Sequence, residues 1–423
     1  MTLAWISIAA LVIAVGLSCT TTINVGILSL TLALLVGVYL GGMSPAAVLE
    51  GFPTDLLITL VGVTLLFSIA ESNGTLARVT ARAVRLCRGQ VGLLPVMFFV
   101  LGLVIATIGA GATPTSALLA PPAMAVASRA GIPLLVMAVM AGNGALAGTL
   151  SPFAPTGIVA NGVMARIGLG GVEWQTYAYN AFAHALVGIG GFLVLGGLRL
   201  FTRREGAAAG ERREGVPVDS AEPDAGEMTT PHWLTLAGIV ALIAGVAIFG
   251  VNVGMMALVV STLLILLRAV DEGEAIHGMP WGVILMVTGV SVLIALLQET
   301  KGMDLFTAGL ARISTPESIA PIVAFGTGVI SVYSSTSGVV LPAFLPMAPE
   351  LAERVGGLPP LPIAWSMNIG ASLVDLSSLS TVGALFLAGA PPGSDTRSLF
   401  NGLLVWGLSM SVVGAALCWI LFR

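Results

Sequence analysis

The chain has 423 residues, is 57% hydrophobic and 9% charged, and has a mean hydropathy of +1.02. Soluble domains carry about 25% charged residues, so a soluble globular protein is excluded. The net charge is −4, and no Lys/Arg patch is large enough to neutralise a run of phosphates, so nucleic acid is not expected as a partner.

With about 20 apolar residues needed per crossing, the chain reads as an all-α polytopic membrane protein. Spans are predicted at 4–20, 23–40 and 55–72. The first ends near Cys19 but lacks a positive n-region, so it is expected to be a retained helix and not a cleaved leader. An Arg-bearing amphipathic arm follows at 74–89. Two apolar stretches, 91–110 and 117–129, flank a small-polar break at Gly109–Ser116. The second stretch is too short to cross, so the pair reads as a re-entrant hairpin over 91–129. A long span at 133–165, interrupted near Gly148–Gly157, and a last span at 178–199 complete residues 1–200. Residues 201–232 are the only long polar segment and read as a flexible linker. Residues 233–423 repeat the pattern: spans 233–250, 251–268 and 281–298, an arm at 299–317, a hairpin over 319–352, a broken span at 362–390, and a span at 398–421.

The likeness of the halves extends to single residues. Trp5 and Trp233 open similar apolar runs, each leading to Asn-Val-Gly at Asn24–Gly26 and Asn252–Gly254. Glu71 and Gly74 match Glu299 and Gly302. Thr115, Ser116 and Pro121 match Thr336, Ser337 and Pro342, and Leu150, Ser151 and Gly157 match Leu376, Ser377 and Gly383. The offset drifts from 228 to 226, with one dip to 221. One hairpin and five crossings per half give about ten transmembrane helices plus two re-entrant hairpins. The odd number makes the second half inverted relative to the first.

The distribution of basic residues fits that topology. With the N-terminus outside and the linker cytoplasmic, Arg78, Arg82, Arg85, Arg88, Arg129, Arg199, Arg203, Arg204, Arg212, Arg213, Arg268 and Arg397 face the cytoplasm. Only Arg166, Lys301, Arg312, Arg354 and Arg423 face out. The expected location is the inner (plasma) membrane.

Non-helical backbone inside a membrane is tolerated only where it is buried in protein or lines a cavity. Inverted repeats place the substrate near the midplane at such breaks. The hairpin tips carry Thr113, Pro114, Thr115 and Ser116 in one half, and Ser334, Ser335, Thr336 and Ser337 in the other. Hydroxyls at the start of a descending half-helix, with free N–H groups and the positive dipole end, suit an anion; they also suit simple capping. Pro155, Thr156, Ser380 and Thr381 open the second segments of the broken spans and join the substrate set. Asn143, Gly148, Thr149, Ser151, Asn368, Ser372, Asp375 and Ser377 surround the interruptions. Their carbonyl, hydroxyl and amide oxygens suit a hard cation such as Na⁺. Asp375 is the acidic residue deep in a predicted span of the second half, and Thr149 is its counterpart. An intramembrane carboxylate is a functional candidate by default, as a Na⁺ ligand or a proton carrier. No Lys or Arg lies deep in any predicted span, so a bound anion would need a co-bound cation. His184 lies alone in a span and reads as structural.

These features resemble the divalent-anion:sodium symporters of the ion transporter superfamily. Residues Gly51–Leu76 are similar more narrowly to the malonate/dicarboxylate carriers of the MatC type. The resemblance implies a cation-coupled carrier of small dicarboxylates, with no cofactor, working as a homodimer by elevator-type alternating access. In that family each tip carries Ser-Asn-Thr; Thr113-Pro114-Thr115 and Ser334-Ser335-Thr336 stand there in this chain, without the Asn. The alternatives are a membrane subunit of a multi-component dicarboxylate transporter and an oxyanion exporter. An enzyme is not expected: an intramembrane aspartyl protease needs a second Asp facing Asp375, and no HExxH spacing for zinc occurs.

Overall fold

The structure, a computed structural model, describes residues 2–20, 23–86, 91–200 and 227–423. It is helical throughout these residues, with no strand among them. Most of the predicted linker, 201–226, lies outside the described residues, as do Cys87 and Arg88.

The first half runs α1 (Thr2–Thr20), α2 (Val25–Leu34, extended by a π turn to Leu40), α3 (Pro45–Leu49), α4 (Thr54–Ser72) and α5 (Thr75–Leu86). It continues with α6 (Leu93–Ile105, extended by a π turn to Ala110), α7 (Ala112–Arg129), α8 (Leu134–Ala147), α9 (Pro155–Arg166) and α10 (Glu173–Val194). The second half runs α11 (Thr230–Phe249), α12 (Val253–Leu266), α13 (Glu272–His277), α14 (Trp281–Glu299) and α15 (Gly302–Arg312). After α16 (Ile319–Tyr333) come a π turn at Thr336–Val340, α17 (Leu341–Phe344) and α18 (Ala348–Arg354). The chain closes with α19 (Pro360–Leu373), α20 (Thr381–Ala388) and α21 (Thr396–Leu421). Among the described residues, six helical stretches are long and apolar enough to cross a membrane, and six more apolar helices run 10–17 residues.

The expected interruptions are present: residues 148–154 separate α8 from α9, and residues 374–380 separate α19 from α20. One boundary differs. The first tip was expected to be open to Ser116, but α7 starts at Ala112, and the turn consists of Gly109 to Gly111. Gly109 (φ 128°) and Gly111 (φ 76°) take backbone angles that side chains oppose, so two residues reverse the chain and the helix resumes at once. The short helices α3 and α13 were not anticipated.

Landmark residues of the two halves play the same local parts. Asn24 caps α2 and Asn252 caps α12. Close helix contacts recur at the same spacing. A Cβ on Gly144 would stand 2.2 Å from the Phe99 carbonyl oxygen, and one on Gly370 the same distance from that of Ala324. Likewise, a Cβ on Gly289 would meet the Gly26 carbonyl oxygen at 2.0 Å, and one on Gly62 the Gly254 carbonyl oxygen at 2.4 Å. Backbone therefore lies on backbone where α6 crosses α8, α16 crosses α19, α2 crosses α14 and α4 crosses α12. Small residues at such crossings are how helices pack in lipid, where apolar burial gives little driving force.

Candidate functional site

Both tips and both interruptions open onto one cavity of about 470 Å³. Its wall includes Gly111–Pro114 at the start of α7, Pro155 and Thr156 at the start of α9, Ser334–Ser337 before and in the π turn of the second hairpin, and Ser380–Val382 at the start of α20. Four helical N-termini thus meet the same space. Ser335 accepts the Gly338 N–H and Ser380 accepts the Gly383 N–H, so two of these starts are capped by their own hydroxyls. The starts of α7 and α9 have no such cap from their N-cap residues, Gly111 and Ala154.

Two further helices complete the wall. On α4, Thr64, Phe67, Ser68 and Glu71 share one face, and on α14, Val283 and Met286 do. Phe67 packs at the first tip, where a Cβ on Gly109 would come within 2.1 Å of its ring. Met286 packs at the second, 2.0 Å from a Cβ built on Gly338. Ile23, Leu76, Gly278 and Pro280 lie at helix ends on one side of the cavity.

Asp375 sits at the second tip. The Thr336 hydroxyl donates to its Oδ1 at 2.6 Å, and the Ser331 hydroxyl lies 3.5 Å from the same oxygen. The Ser380 hydroxyl donates to the Asp375 backbone carbonyl. Thr149, its counterpart, lines the cavity at the first tip. Among the described residues, Glu71 and Asp375 are the charged ones in the lining, with no Lys, Arg or His.

Of the sequence-predicted residues, Thr113, Pro114, Pro155, Thr156, Ser334, Ser335, Thr336, Ser337, Ser380 and Thr381 line the cavity, with Thr149 and Asp375 from the cation set. The others do not. Thr115 and Ser116 are fully buried within α7, and their hydroxyls have no hydrogen-bond partner. Gly148 packs against Ala106 and Thr107, and the Ser151 hydroxyl donates to the Thr107 carbonyl at 2.6 Å. Ser377 accepts the Leu379 N–H. Asn368 turns its amide toward the Met164 sulfur. Asn143 and Ser372 belong to a buried network away from the cavity. The cation candidates therefore do not converge on one point. A buried unpaired hydroxyl costs about 1–3 kcal/mol. Thr115→Val, nearly isosteric, is accordingly expected to raise the melting temperature while leaving the apparent substrate KM within about twofold. Thermal unfolding in detergent and uptake kinetics on the same preparation check this; a rise in KM would place Thr115 in the binding site after all.

Sequence reasoning missed Ser331, Phe67, Met286 and the cavity-facing side of Glu71. Ser331 was visible as a hydroxyl five residues before Thr336. The α4 face was not, because all of α4 is apolar enough to read as a uniform span.

Residues 1–149 match the family model described as dicarboxylate carrier protein MatC N-terminus, and residues 244–423 match that of the citrate transporter family. No curated protein sequence matches the chain. Among solved structures, the YdaH transporter of Alcanivorax borkumensis, described as having an unusual topology, superposes with a TM-score of 0.57. It is 17% identical over 91% of this chain and 88% of its own. That likeness concerns the fold. The fold and the two family matches define a carrier and not an enzyme. Likeness to carrier families thus extends over parts of both halves of the chain.

Proposed function

We propose that this protein is a secondary active transporter of small dicarboxylates of the malonate and succinate type, coupled to an inward cation gradient. The observation that carries the reading is the single cavity shared by both tips and both interruptions, ringed by helix N-termini and, among the described residues, devoid of fixed cations. Each N-terminus favours an anion by about 0.3–1 kcal/mol, and up to ~2 when partly buried. Asp375 opposes binding: at ~6 Å and an effective dielectric of ~20, each like-charge pair costs about 3 kcal/mol. A dianion therefore binds well only when a cation or proton neutralises Asp375. That requirement is the physical content of coupling. Asp375, Thr336 and Ser331 hold the cation, with Na⁺ as the leading ion and H⁺ the other. Thr113, Pro114, Thr149, Pro155 and Thr156 at one end, with Ser334, Ser335, Ser337, Ser380 and Thr381 at the other, receive the carboxylates.

The protein works as a homodimer in the inner membrane by elevator-type alternating access, as the resemblance to the symporters implies. In the orientation of the positive-inside rule, Ile23, Glu71, Leu76, Gly278 and Pro280 lie on the cytoplasmic side, so the cavity faces inward. The match of residues 244–423 to citrate transporters makes citrate the second substrate to try. Thr113→Ala and Thr336→Ala are each expected to raise KM about tenfold by removing one hydrogen bond to a charged group. The reading is tested with the purified chain in proteoliposomes, given radiolabelled malonate, succinate or citrate and an inward Na⁺ gradient, an inward H⁺ gradient, or neither. Accumulation against a concentration gradient names the ion. No accumulation by folded protein under any condition would point to a missing partner subunit or to oxyanion export.

A further inference from the structure

The middle of α10 carries three polar residues at four-residue spacing, Thr176, Asn180 and His184, each buried to 1% exposure or less. The spacing puts them on one stripe of the helix. His184 Nδ1 lies 3.0 Å from Asn143 Oδ1 on α8. The Asn143 NH₂ is committed to the Val139 carbonyl at 2.8 Å, so its oxygen must accept and His184 carries a hydrogen on Nδ1. His184 Nε2 is thereby left as an acceptor, 3.4 Å from the Ser372 oxygen on α19, whose one hydrogen goes elsewhere. Ser372 donates to Asn180 Oδ1 at 2.7 Å. The Asn180 NH₂ then donates to the carbonyls of Leu146 and Ala147, at 2.9 and 3.2 Å.

Those two carbonyls belong to the last turn of α8, and that of Leu146 also accepts the Thr149 N–H at 3.1 Å. Thr149 follows within three residues. Ser372 lies three residues before Asp375, less than one helical turn away. One side-chain chain thus spans from the edge of the first interruption, through α10, to the edge of the second. Thr176 adds a second tie, accepting the Trp365 indole N–H of α19 at 3.1 Å.

We propose that Asn180 is a positioning residue that locks the two interruptions together, so that the Thr149 end and the Asp375 end of the cavity assemble as one unit. It does not line the cavity. It acts through Leu146, Ala147 and Ser372. That role takes Ser372 out of the cation ligands. Its transport consequence rests on the cation-coupled reading above. If the ends assemble together, cation at Asp375 strengthens anion binding at the far end. If they move separately, that dependence weakens.

The test uses the full-length chain with Asn180→Leu, which removes the amide, Ser372→Ala, which deletes one hydroxyl at little risk to folding, and Ser372→Thr, which keeps that hydroxyl. The first readout is hydrogen–deuterium exchange of residues 148–154 and 376–380, which needs no knowledge of substrate. The lock predicts faster exchange of both segments together in Asn180→Leu and Ser372→Ala, with wild-type exchange in Ser372→Thr. The second readout is substrate KM at low and high cation. An increase of about tenfold at high cation, with the difference between low and high cation largely lost, is expected in Asn180→Leu. Exchange confined to one segment, or unchanged in both, overturns the proposal. So does an unaltered KM and cation dependence accompanied only by lower kcat or less folded protein, which is what a merely structural role would give. Wild-type protein that transports nothing would sink the transport reading and leave the exchange result standing on its own.

Discussion

Asp375→Asn should abolish gradient-driven accumulation, by about a hundredfold or more, in a protein that still folds. The size follows from the ~3 kcal/mol between a carboxylate and a neighbouring unit charge in a partly buried site, worth about two decades. Folding is spared because an amide has nearly the shape of the carboxylate, and its oxygen can still accept the Thr336 hydroxyl that now donates to Oδ1 at 2.6 Å. The informative comparison is accumulation against facilitated equilibration. With the carboxylate gone, the site no longer requires a cation, so labelled substrate should still exchange across the membrane but no longer concentrate. Proteoliposomes loaded with substrate and assayed for counterflow separate the two. Full coupled activity in Asp375→Asn would remove the carboxylate from the coupling mechanism.

Gly370→Ala and Gly144→Ala should each destabilise the protein by at least about 2–3 kcal/mol. The added methyl would sit 2.2 Å from a backbone carbonyl, Ala324 in one case and Phe99 in the other. No rotamer relieves a Cβ, and the obstacle is backbone, so α19 must move from α16, or α8 from α6, by about 1 Å. Those crossings hold each hairpin against its broken span, so the separation would also open the cavity wall. Gly190→Ala on α10 is the control, because a Cβ there meets nothing within 4 Å. It should be neutral or stabilising, since alanine is the better helix former by about 1 kcal/mol. Thermal unfolding in one detergent, all three variants side by side, reads the result. Equal melting temperatures would mean that the crossings yield more readily than close-packed backbone should.

Much of this was legible in the sequence because lipid makes every departure from an apolar helix costly. Gly148–Gly157 and Ser377–Ser380 interrupt spans that have no reason to be interrupted except to bound a cavity, and both do. Asp375 stood out for the same reason. What the sequence could not reveal was which polar groups face the cavity and which face each other. Thr113 and Thr115 are two residues apart and equally hydroxylated, yet one lines the cavity and the other is buried behind it. The difference depends on where α7 begins, and that is set by Gly109 and Gly111. Asn143 and Ser372 looked like cation ligands for want of any other partner. Their partners on α10 become neighbours only when the helices pack. His184, read as a lone structural histidine, holds Asn143, and Asn180 holds Ser372. A polar residue every fourth position along an otherwise apolar span, as at Thr176, Asn180 and His184, was the available signal.

Among the described residues, the wall of the cavity carries no amine, guanidinium or imidazole. Reagents that derivatise lysine or arginine, which commonly silence anion carriers, have no target there. Emptying is also eased. Once the neutralising ion leaves, no tethered base holds the cargo back, and what remains is a ring of dipoles beside a carboxylate that repels it. An inhibitor for this cavity should be uncharged or should bring its own cation, because a bare dianion gains little there without one.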